Sequence, residues 1–462
     1  MFVGRKTELV ELDRLYMTEK FQCAIIYGRR RVGKTALVSE FTKNKETIFF
    51  TALETTAKEN LAGLSQSVFR CVNDNTNTSP IYSSFSDVLE TIFDLSKNRR
   101  IVFVVDEYPY LAASYRGFSS LLQTFIDNHK DSSRLFIILC GSSLSFMENQ
   151  VLGYQSPLYG RRTAQFKILP FDFAQTREYF RAAYNALDTA LLYGITGGVP
   201  LYLSLIEKKQ CVADNIKQNF FKPSGYLFEE PGNLIKQECR EPAHYNAIIK
   251  AIAGGASRLS EISGKVGLNT ALSSTYLSKL MSIGIVKKET PFRDESKKKT
   301  IYVLDDSMFR FWYRFIPDCL SLITRGEADV AYEMIKPQIT AFMGQVFEKI
   351  CLEYLWQQNI ARETPFLFTD AGRWWGNDSR KQTECEIDIV ADNKENAIFS
   401  ECKWSNVPVK PEILKSLFER SELFRYSSKY YYLFSKSGFS ESVSAEAQEM
   451  ENVRLVRFEE IF

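Results

Sequence analysis

The chain has 462 residues, more than a single hydrophobic core usually supports, so two to four domains are expected. Its 58 Lys and Arg nearly balance 56 Asp and Glu, and the net charge of +2 excludes a general attraction to nucleic acid, leaving only local basic surface. No apolar run approaches the ~18 residues of a membrane span, and the start, MFVGRKTEL, lacks the apolar core of a signal peptide.

The nine cysteines are scattered without a C-x-x-C pair, as reduced thiols of a cytoplasmic protein would be. The only histidines are His129 and His244, and neither sits in a recognisable motif. Catalysis is therefore expected to rest on carboxylates, Lys, Arg and metal rather than on a histidine base.

Residues 21–28 (FQCAIIYG) read as a short buried strand closed by Gly. GRRRVGKT follows and matches G-x-x-x-x-G-K-[ST], and TALVSEFTK continues with helical spacing. Strand, tight turn and helix N-terminus are the context a phosphate-binding loop demands. Gly28 and Gly33 let the backbone curl through Arg29, Arg30, Arg31 and Val32. The N–H groups up to Ala36 then point at a nucleoside triphosphate, most simply ATP. Lys34 brings positive charge to the phosphates, and the Thr35 hydroxyl is a ligand for Mg²⁺.

A second apolar strand, RIVFVVDE (100–107), ends in two carboxylates. Asp106 is expected to hold Mg²⁺ through water, and Glu107 to polarise the attacking water. Further strands are expected at ETIFFTAL (46–53), RLFIILCGSS (134–143) and TAQFKILPF (163–171). Helical patterns separate them, which predicts an α/β fold with a parallel sheet and nucleotide at the carboxyl ends of its strands. Ser142 and Ser143 fall at such an end, where Ser142 can sense the γ-phosphate.

FVGRKTEL, GRRRVGKT, VVDEYPYL, LCGSS, YGRRTAQFKILPF and ITGGVPLYL occur in one order that resembles the archaeal-type ATPases, in the STAND branch of the AAA+ proteins. The resemblance implies a P-loop AAA+ core over residues 1–171, with Gly4, Arg5 and Glu8 near the adenine. It makes Arg161 or Arg162 a candidate arginine finger acting in a homo-oligomer. It also makes Gly198 and Pro200 a lid turn.

Residues 172–240 read as a helical lid with an aromatic core stripe. Residues 241–316 read as a winged helix-turn-helix and connector: three helices within 244–282, a charged hairpin KKETPFRDESKKK and the strand TIYVL. Asn269 or Thr270 caps the third helix. DNA contact is expected through Ser273, Ser274, Tyr276 and Lys279, with Lys297–Lys299 on phosphates. The alternative is that the module serves only as an intramolecular joint, as in related STAND proteins.

A last module is expected over residues 332–462. AFMGQVFEKICLEYLWQQ (341–358) is an amphipathic helix with Phe342, Val346, Ile350 and Tyr354 along one side and Glu348 at the edge of that face. In TECEIDIVADNKENAIFSECKW (383–404) alternation sets Phe399, Glu401 and Lys403 on one strand face, with Glu386 and Asp388 sharing a face of the preceding strand. A hairpin can then bring Asp388 and Glu401 together as hard oxygen ligands of one Mg²⁺ or Mn²⁺ ion, with Lys403 beside a scissile phosphate. The D-x₁₂-E-x-K pattern resembles the PD-(D/E)XK nuclease core, a restriction-endonuclease-like α/β domain. Gly344-Gln-Val-Phe-Glu348 resembles the helix motif of its resolvase-like branch. The resemblance implies that Asp388 and Glu401 are metal ligands, Glu348 an outer ligand and Lys403 the catalytic lysine, although Ile387 stands where the pattern has Pro.

The sequence thus points to an ATPase coupled to a metal-dependent DNA-processing domain. The alternative is an ATP-gated regulator or scaffold whose nuclease-like domain binds without cutting. A small-molecule kinase is disfavoured, since nothing resembles a substrate-hydroxyl pocket.

Overall fold

Apolar β-branched and aromatic runs form strands buried on both faces when helices cover each side of a parallel sheet. The computed structural model, which describes residues 2–72, 81–294, 298–378 and 380–461, has β1 (Gln22–Tyr27), β2 (Thr47–Thr51), β3 (Val102–Asp106), β4 (Phe136–Gly141) and β5 (Ala164–Lys167). Strands β1, β3 and β4 are buried along their whole length, whereas β2 and β5, at the sheet's edges, are only partly covered. All pair in parallel, in the order β2-β3-β4-β1-β5. Alternate residues feed two cores. Ile25, Phe103, Val105, Ile137 and Leu139 pack on one face, and Ala24, Ile26, Val104 and Ile138 on the other. The parallel α/β expectation therefore holds.

The chain divides into two units: Met1–Phe171 with Val199–Leu201, and Asp172–Gly198 with Tyr202–Phe462. The segments expected as three further domains, 172–240, 241–316 and 332–462, thus cluster in one unit. Tyr332, the expected start of the last module, lies inside the helix Ala328–Ile360. Among the described residues no helix is long and apolar enough to cross a membrane.

The second unit begins with helices including Ala186–Thr196, Val212–Phe220 and Tyr226–Glu238. Three more, Pro242–Ala253, Leu259–Val266 and Thr270–Ser282, precede an antiparallel hairpin of β6 (Val286–Glu289) and β7 (Ile301–Leu304). The Asn269 side chain accepts from Leu272 N at 2.8 Å and caps the third of these helices. Its exposed stripe is Ala271, Leu272, Thr275 and Ser278. Ser273 and Tyr276, expected to read DNA, are buried instead, and the Tyr276 hydroxyl donates to Glu241. A hydroxyl and a phenol at i and i+3 lie on one helix face, and here that face is the core.

The hairpin connection also departs from a free basic wing. Phe292 N donates to Arg373 O at 2.8 Å, and the Phe292 ring is buried in the core of the C-terminal sheet. Arg293, at φ 60°, pairs with the buried Asp392, which also accepts from the Tyr426 hydroxyl. Lys298 and Lys299 are exposed. Lys297 lies outside the described residues.

The C-terminal sheet contains β8 (Asp370–Asp378), β9 (Thr383–Asp392), β10 (Asn396–Lys403), β11 (Ser428–Ser435) and β12 (Val453–Arg457), in the order β12-β11-β10-β9-β8. The β8–β9 and β9–β10 pairs are antiparallel, and the rest are parallel. Helix Pro411–Ser421 sets Leu414 and Leu417 into the core with Phe399, Tyr431 and Leu433. The long helix covers the other face, where Tyr354 meets Phe434 edge-on at 6.0 Å. Phe342, Val346, Ile350 and Tyr354 are all buried, as their spacing predicts.

Truncating Phe292 removes the anchor of the hairpin, and a buried Phe→Ala change costs about 3 kcal/mol. All five tryptophans (312, 356, 374, 375 and 404) lie in the second unit, so their fluorescence follows its unfolding alone. Phe292→Ala is expected to lower the urea midpoint of that transition; an unchanged midpoint would show the anchor to be dispensable.

Candidate functional site

The loop after β1 is built by contacts on all sides. Gly28 is buried, and a Cβ there would lie 2.3 Å from the carbonyl oxygen of Ile168, the residue after β5. Close approach, rather than a special backbone angle, is what demands glycine at this end. At the other end Gly33 has φ 85°, which favours glycine, and Arg31 is also left-handed at φ 73°. The loop's backbone is braced as well. Arg5 is buried, donates to Val32 O at 3.1 Å and to Leu169 O, and lies over the Phe171 ring. Leu201 N donates to Arg31 O at 3.3 Å, and Pro200 stands beside Gly33.

The helix Lys34–Thr42 starts at Gly33, so the N–H groups of Lys34, Thr35 and Ala36 belong to its first turn, where backbone donors have no partner within the helix. Together with the helix dipole they form an anion site. Lys34 is buried and donates to Arg29 O at 3.0 Å; burial draws its pKa below the ordinary lysine value, against the pull of Glu107 and Asp106. Thr35 Oγ1 donates to Asp106 Oδ2 at 2.9 Å. Arg30 reaches the Tyr110 hydroxyl at 2.9 Å.

The strand order explains how the other groups arrive. Because β4 lies between β1 and β3, Ser142 just beyond β4 falls between the loop and the Asp106–Glu107 pair. Glu107 is left-handed at φ 51°, and its Oε2 accepts from Ser142 Oγ at 2.8 Å and Ser142 N at 3.3 Å. Asp106 Oδ1 accepts from Glu107 N at 3.0 Å. Thr35, Asp106, Glu107 and Ser142 thus gather at one sheet edge beside Lys34. Gly4, at φ 70°, packs against Phe171, which puts Gly4 and Arg5 in the bracing of the loop.

Arg161 and Arg162 are not part of this cluster. They precede β5, which runs parallel to β1 with Tyr27 opposite Lys167, so they lie at the sheet edge opposite the loop. Arg161 forks onto Asp127 at 3.1 and 2.9 Å, and Arg162 lies over Tyr159.

The second cluster forms where two strands part. β9 pairs with β10 only as far as Ile389 opposite Ser400, one step short of Asp388 and Glu401. Between Gly372 and Trp374, β8 has one residue where β9 has two, a bulge at Asp388–Ile389 that re-aims the strand. Asp388 Oδ2 accepts from Cys402 N at 2.8 Å. Glu401 is buried, with Lys403 Nζ at 2.6 Å on one oxygen and Arg420 Nη1 at 3.1 Å on the other. Burial, then the neighbouring Glu401 charge, pushes Asp388 up to about 6. Burial, then Asp388, pushes Glu348 up to about 7. Burial opposes the charge on Lys403, but Glu401 and Asp388 hold its pKa above the ordinary lysine value.

The structure therefore brings Glu348, Asp388, Glu401 and Lys403 together. Among the described residues no group of three or more His, Cys, Asp or Glu side chains is placed to hold a metal ion. Sequence reasoning missed Arg420 and Arg373. Arg373 pairs with Glu386, and Arg420 also donates to Glu386 O at 3.0 Å. Neither belongs to a local motif, so no pattern marked them. Gln345, inside the helix motif, holds Arg310 at 2.5 Å rather than facing the carboxylates.

Comparison with known proteins finds two family matches in the chain. Residues 2–206 match an ATPase domain predominantly from Archaea, and residues 312–415 match a family of archaeal and bacterial proteins of unknown function. An uncharacterized protein of Methanocaldococcus jannaschii, MJECL04, is 32% identical over 444 residues, covering 94% of this chain and 96% of that protein. An uncharacterized ATP-binding protein of that organism, MJ0423, is 52% identical over 46 residues, 10% of this chain and 78% of that protein. The Walker-type ATPase PABY2304 of Pyrococcus abyssi aligns with a TM-score of 0.51 at 20% identity, over 68% of this chain and 96% of that chain, a likeness of fold.

If Gly28 is fixed by the Ile168 carbonyl, Gly28→Ala forces loop and strand apart and lowers affinity for a fluorescent ATP analogue at least tenfold. Gly264→Ala, with nothing within 4 Å of the added carbon, is the control and leaves that affinity unchanged. Equal affinity in both variants would remove the packing explanation.

Proposed function

This chain belongs to the archaeal-type ATPase family, and from that premise we propose that ATP controls a Mg²⁺- or Mn²⁺-dependent DNA-processing activity seated in its C-terminal sheet. The N-terminal unit lies within the ATPase-domain match, which runs on to residue 206. Its first-turn N–H groups and Lys34 receive the β- and γ-phosphates, and Arg29–Val32 wrap them. Thr35 and Asp106, two oxygen donors already 2.9 Å apart, suit Mg²⁺, which neutralises phosphate charge when bound. Glu107 orients the water that adds to the γ-phosphorus as the bond to ADP breaks, and Ser142 sets where that carboxylate points. Gly4 and Arg5 hold the loop near the adenine end. Arg161 and Arg162 serve as fingers only in trans, since their own loop lies at the opposite sheet edge. Gly198, left-handed at φ 70°, and Pro200 form the lid turn that follows nucleotide state. The helices after Asp172 then act as lid, and the three helices with β6 and β7 as a winged module whose docked hairpin makes it chiefly a joint.

The observation that carries the DNA-processing reading is the meeting of Asp388, Glu401 and Lys403 where β9 and β10 separate. Asp388, buried beside the Glu401 carboxylate that pushes its pKa up, is stabilised in its charged form by a cation. Mg²⁺ needs only one or two carboxylates because it keeps several waters, so the absence of a three-ligand cluster is no obstacle. Bound there, a divalent cation supplies Lewis-acid activation for phosphodiester hydrolysis, in which water adds to phosphorus, the ester P–O bond breaks and the leaving oxygen takes a proton. Asp388 and Glu401 hold the cation, Glu348 supports it from the helix, and Lys403 moves from Glu401 to the phosphate. One feature favours the regulator reading instead. Lys403 and Arg420 already neutralise Glu401, as in a domain that binds without cutting.

Lys34→Ala is expected to reduce ATP affinity at least a hundredfold in a binding titration; unchanged affinity would overturn the nucleotide site. DNA incubated with ATP and Mn²⁺ is expected to be cleaved by the native chain and left intact by Asp388→Ala and Lys403→Ala. Uncut DNA and RNA across a broad panel would leave the regulator reading in its place.

A further inference from the structure

Beside the carboxylate cluster, and wholly within the second unit, lies a cleft of about 760 Å³. One wall is Ser257, Arg258, Lys299 and Ile301 from the three-helix module and its hairpin; the other includes Arg373, Trp375, Gly376 and Arg420 from the C-terminal sheet and its helix. We infer that this cleft binds a short single-stranded nucleic acid, with its phosphates on Arg258 and Lys299 and one base stacked on Trp375.

Three features lead there. The first is charge. Of the cations in the lining, Arg373 is paired with Glu386, Lys381 with Glu419 and Arg420 with Glu401. Lys299 makes no ion pair among the described residues, and Asp378 is neutralised by Arg380. Arg258 makes none at salt-bridge distance either, although Glu261, which accepts from its backbone N–H at 3.1 Å, feels its charge. Glu384 is the one lining carboxylate without an ion pair among those residues, so the unpaired charge is positive. A phosphodiester backbone answers it.

The second is the aromatic. Trp374 points into the core and meets Phe424 edge-on at 4.9 Å. Its neighbour Trp375 emerges on the opposite face of β8, half-buried in the cleft wall, and its ring pairs with no aromatic or cationic side chain among the described residues. A flat ring beside unpaired cations is the arrangement on which unstacked bases lie, whereas paired bases in a duplex cannot reach it.

The third is the opening kept by Gly376. A Cβ there would lie 2.7 Å from Trp374 and 3.3 Å from Lys299 Nζ, so only glycine lets the lysine lie across bare strand. The hairpin is held for this by Phe292 and Arg293. The assignment rests on the DNA-processing reading for its direction, because Arg420 joins the cleft to Glu401 and delivers the strand to that cluster. It also gives the hairpin a second role beyond a joint.

The test uses the full-length protein in EDTA, with fluorescein-labelled dodecamers of thymidylate and uridylate, a duplex of equal length and dTMP as probes. A single strand is expected to bind at least tenfold more tightly than duplex or dTMP, and the two dodecamers tell DNA from RNA. Trp375→Ala is expected to weaken binding about tenfold. Arg258→Gln with Lys299→Gln is expected to weaken it about tenfold and to lower the log–log salt slope by about 1.4. An unchanged urea midpoint of the tryptophan-fluorescence transition, which four tryptophans still report in Trp375→Ala, certifies that the second unit of each variant folds. No binding by the native chain, equal binding of duplex, or unaltered affinity in both variants overturns the cleft. Single-strand binding without cleavage on adding Mn²⁺ leaves the cleft standing and removes the nuclease reading. Cleavage indifferent to both sets of substitutions does the reverse.

Discussion

Parallel pairing sends the carboxyl ends of β1, β3 and β4 to one edge, and every chemical group of the N-terminal unit depends on that constraint. Residues separated by more than a hundred positions, from Thr35 to Ser142, share one cluster only because β4 is inserted between β1 and β3. The same constraint sends Arg161 and Arg162 to the other edge. The loop is there framed by two acidic positions and a serine, held in fixed relation by their mutual hydrogen bonds.

The second unit solves its problem by the opposite means. There the ladder has to stop. If β9 and β10 stayed paired past Ile389 and Ser400, Asp388 and Glu401 would be ordinary cross-strand neighbours on a closed sheet. The bulge and the splay free their carboxylates, at the cost of holding buried like charges. Lys403 and Arg420 offset that cost, and burial beside Asp388 pushes the Glu348 carboxyl up to about 7. The docked hairpin closes the neighbouring β8 side, so Arg373 has both a backbone partner in Phe292 and a side-chain partner in Glu386.

Much of this was legible in the chain. Apolar runs closed by Gly or Asp-Glu fixed the strands of the first sheet, and the 3.6-residue spacing of Phe342, Val346, Ile350 and Tyr354 fixed a buried helix face. Local patterns failed where tertiary contact decides. Gly28 reads as a loop glycine, yet it is demanded by a carbonyl 140 residues away. Tyr276 and Ser273 read as an exposed recognition face because a three-residue spacing does not say which side is out. Phe292 sits inside a charged run that looks solvated, and only the C-terminal core explains it. Arg420 has no motif at all.

The contact of Gly28 with the Ile168 carbonyl gives β5 a mechanical character. That strand carries Arg161 and Arg162 just before one end and the phosphate loop's backstop just after the other. Seven residues of near-extended chain span roughly 20 Å and transmit displacement without bending, because the strand is hydrogen-bonded along β1. One short strand therefore ties the arginine end of the sheet to the backstop of the loop, so neither can be displaced alone without breaking its ladder with β1.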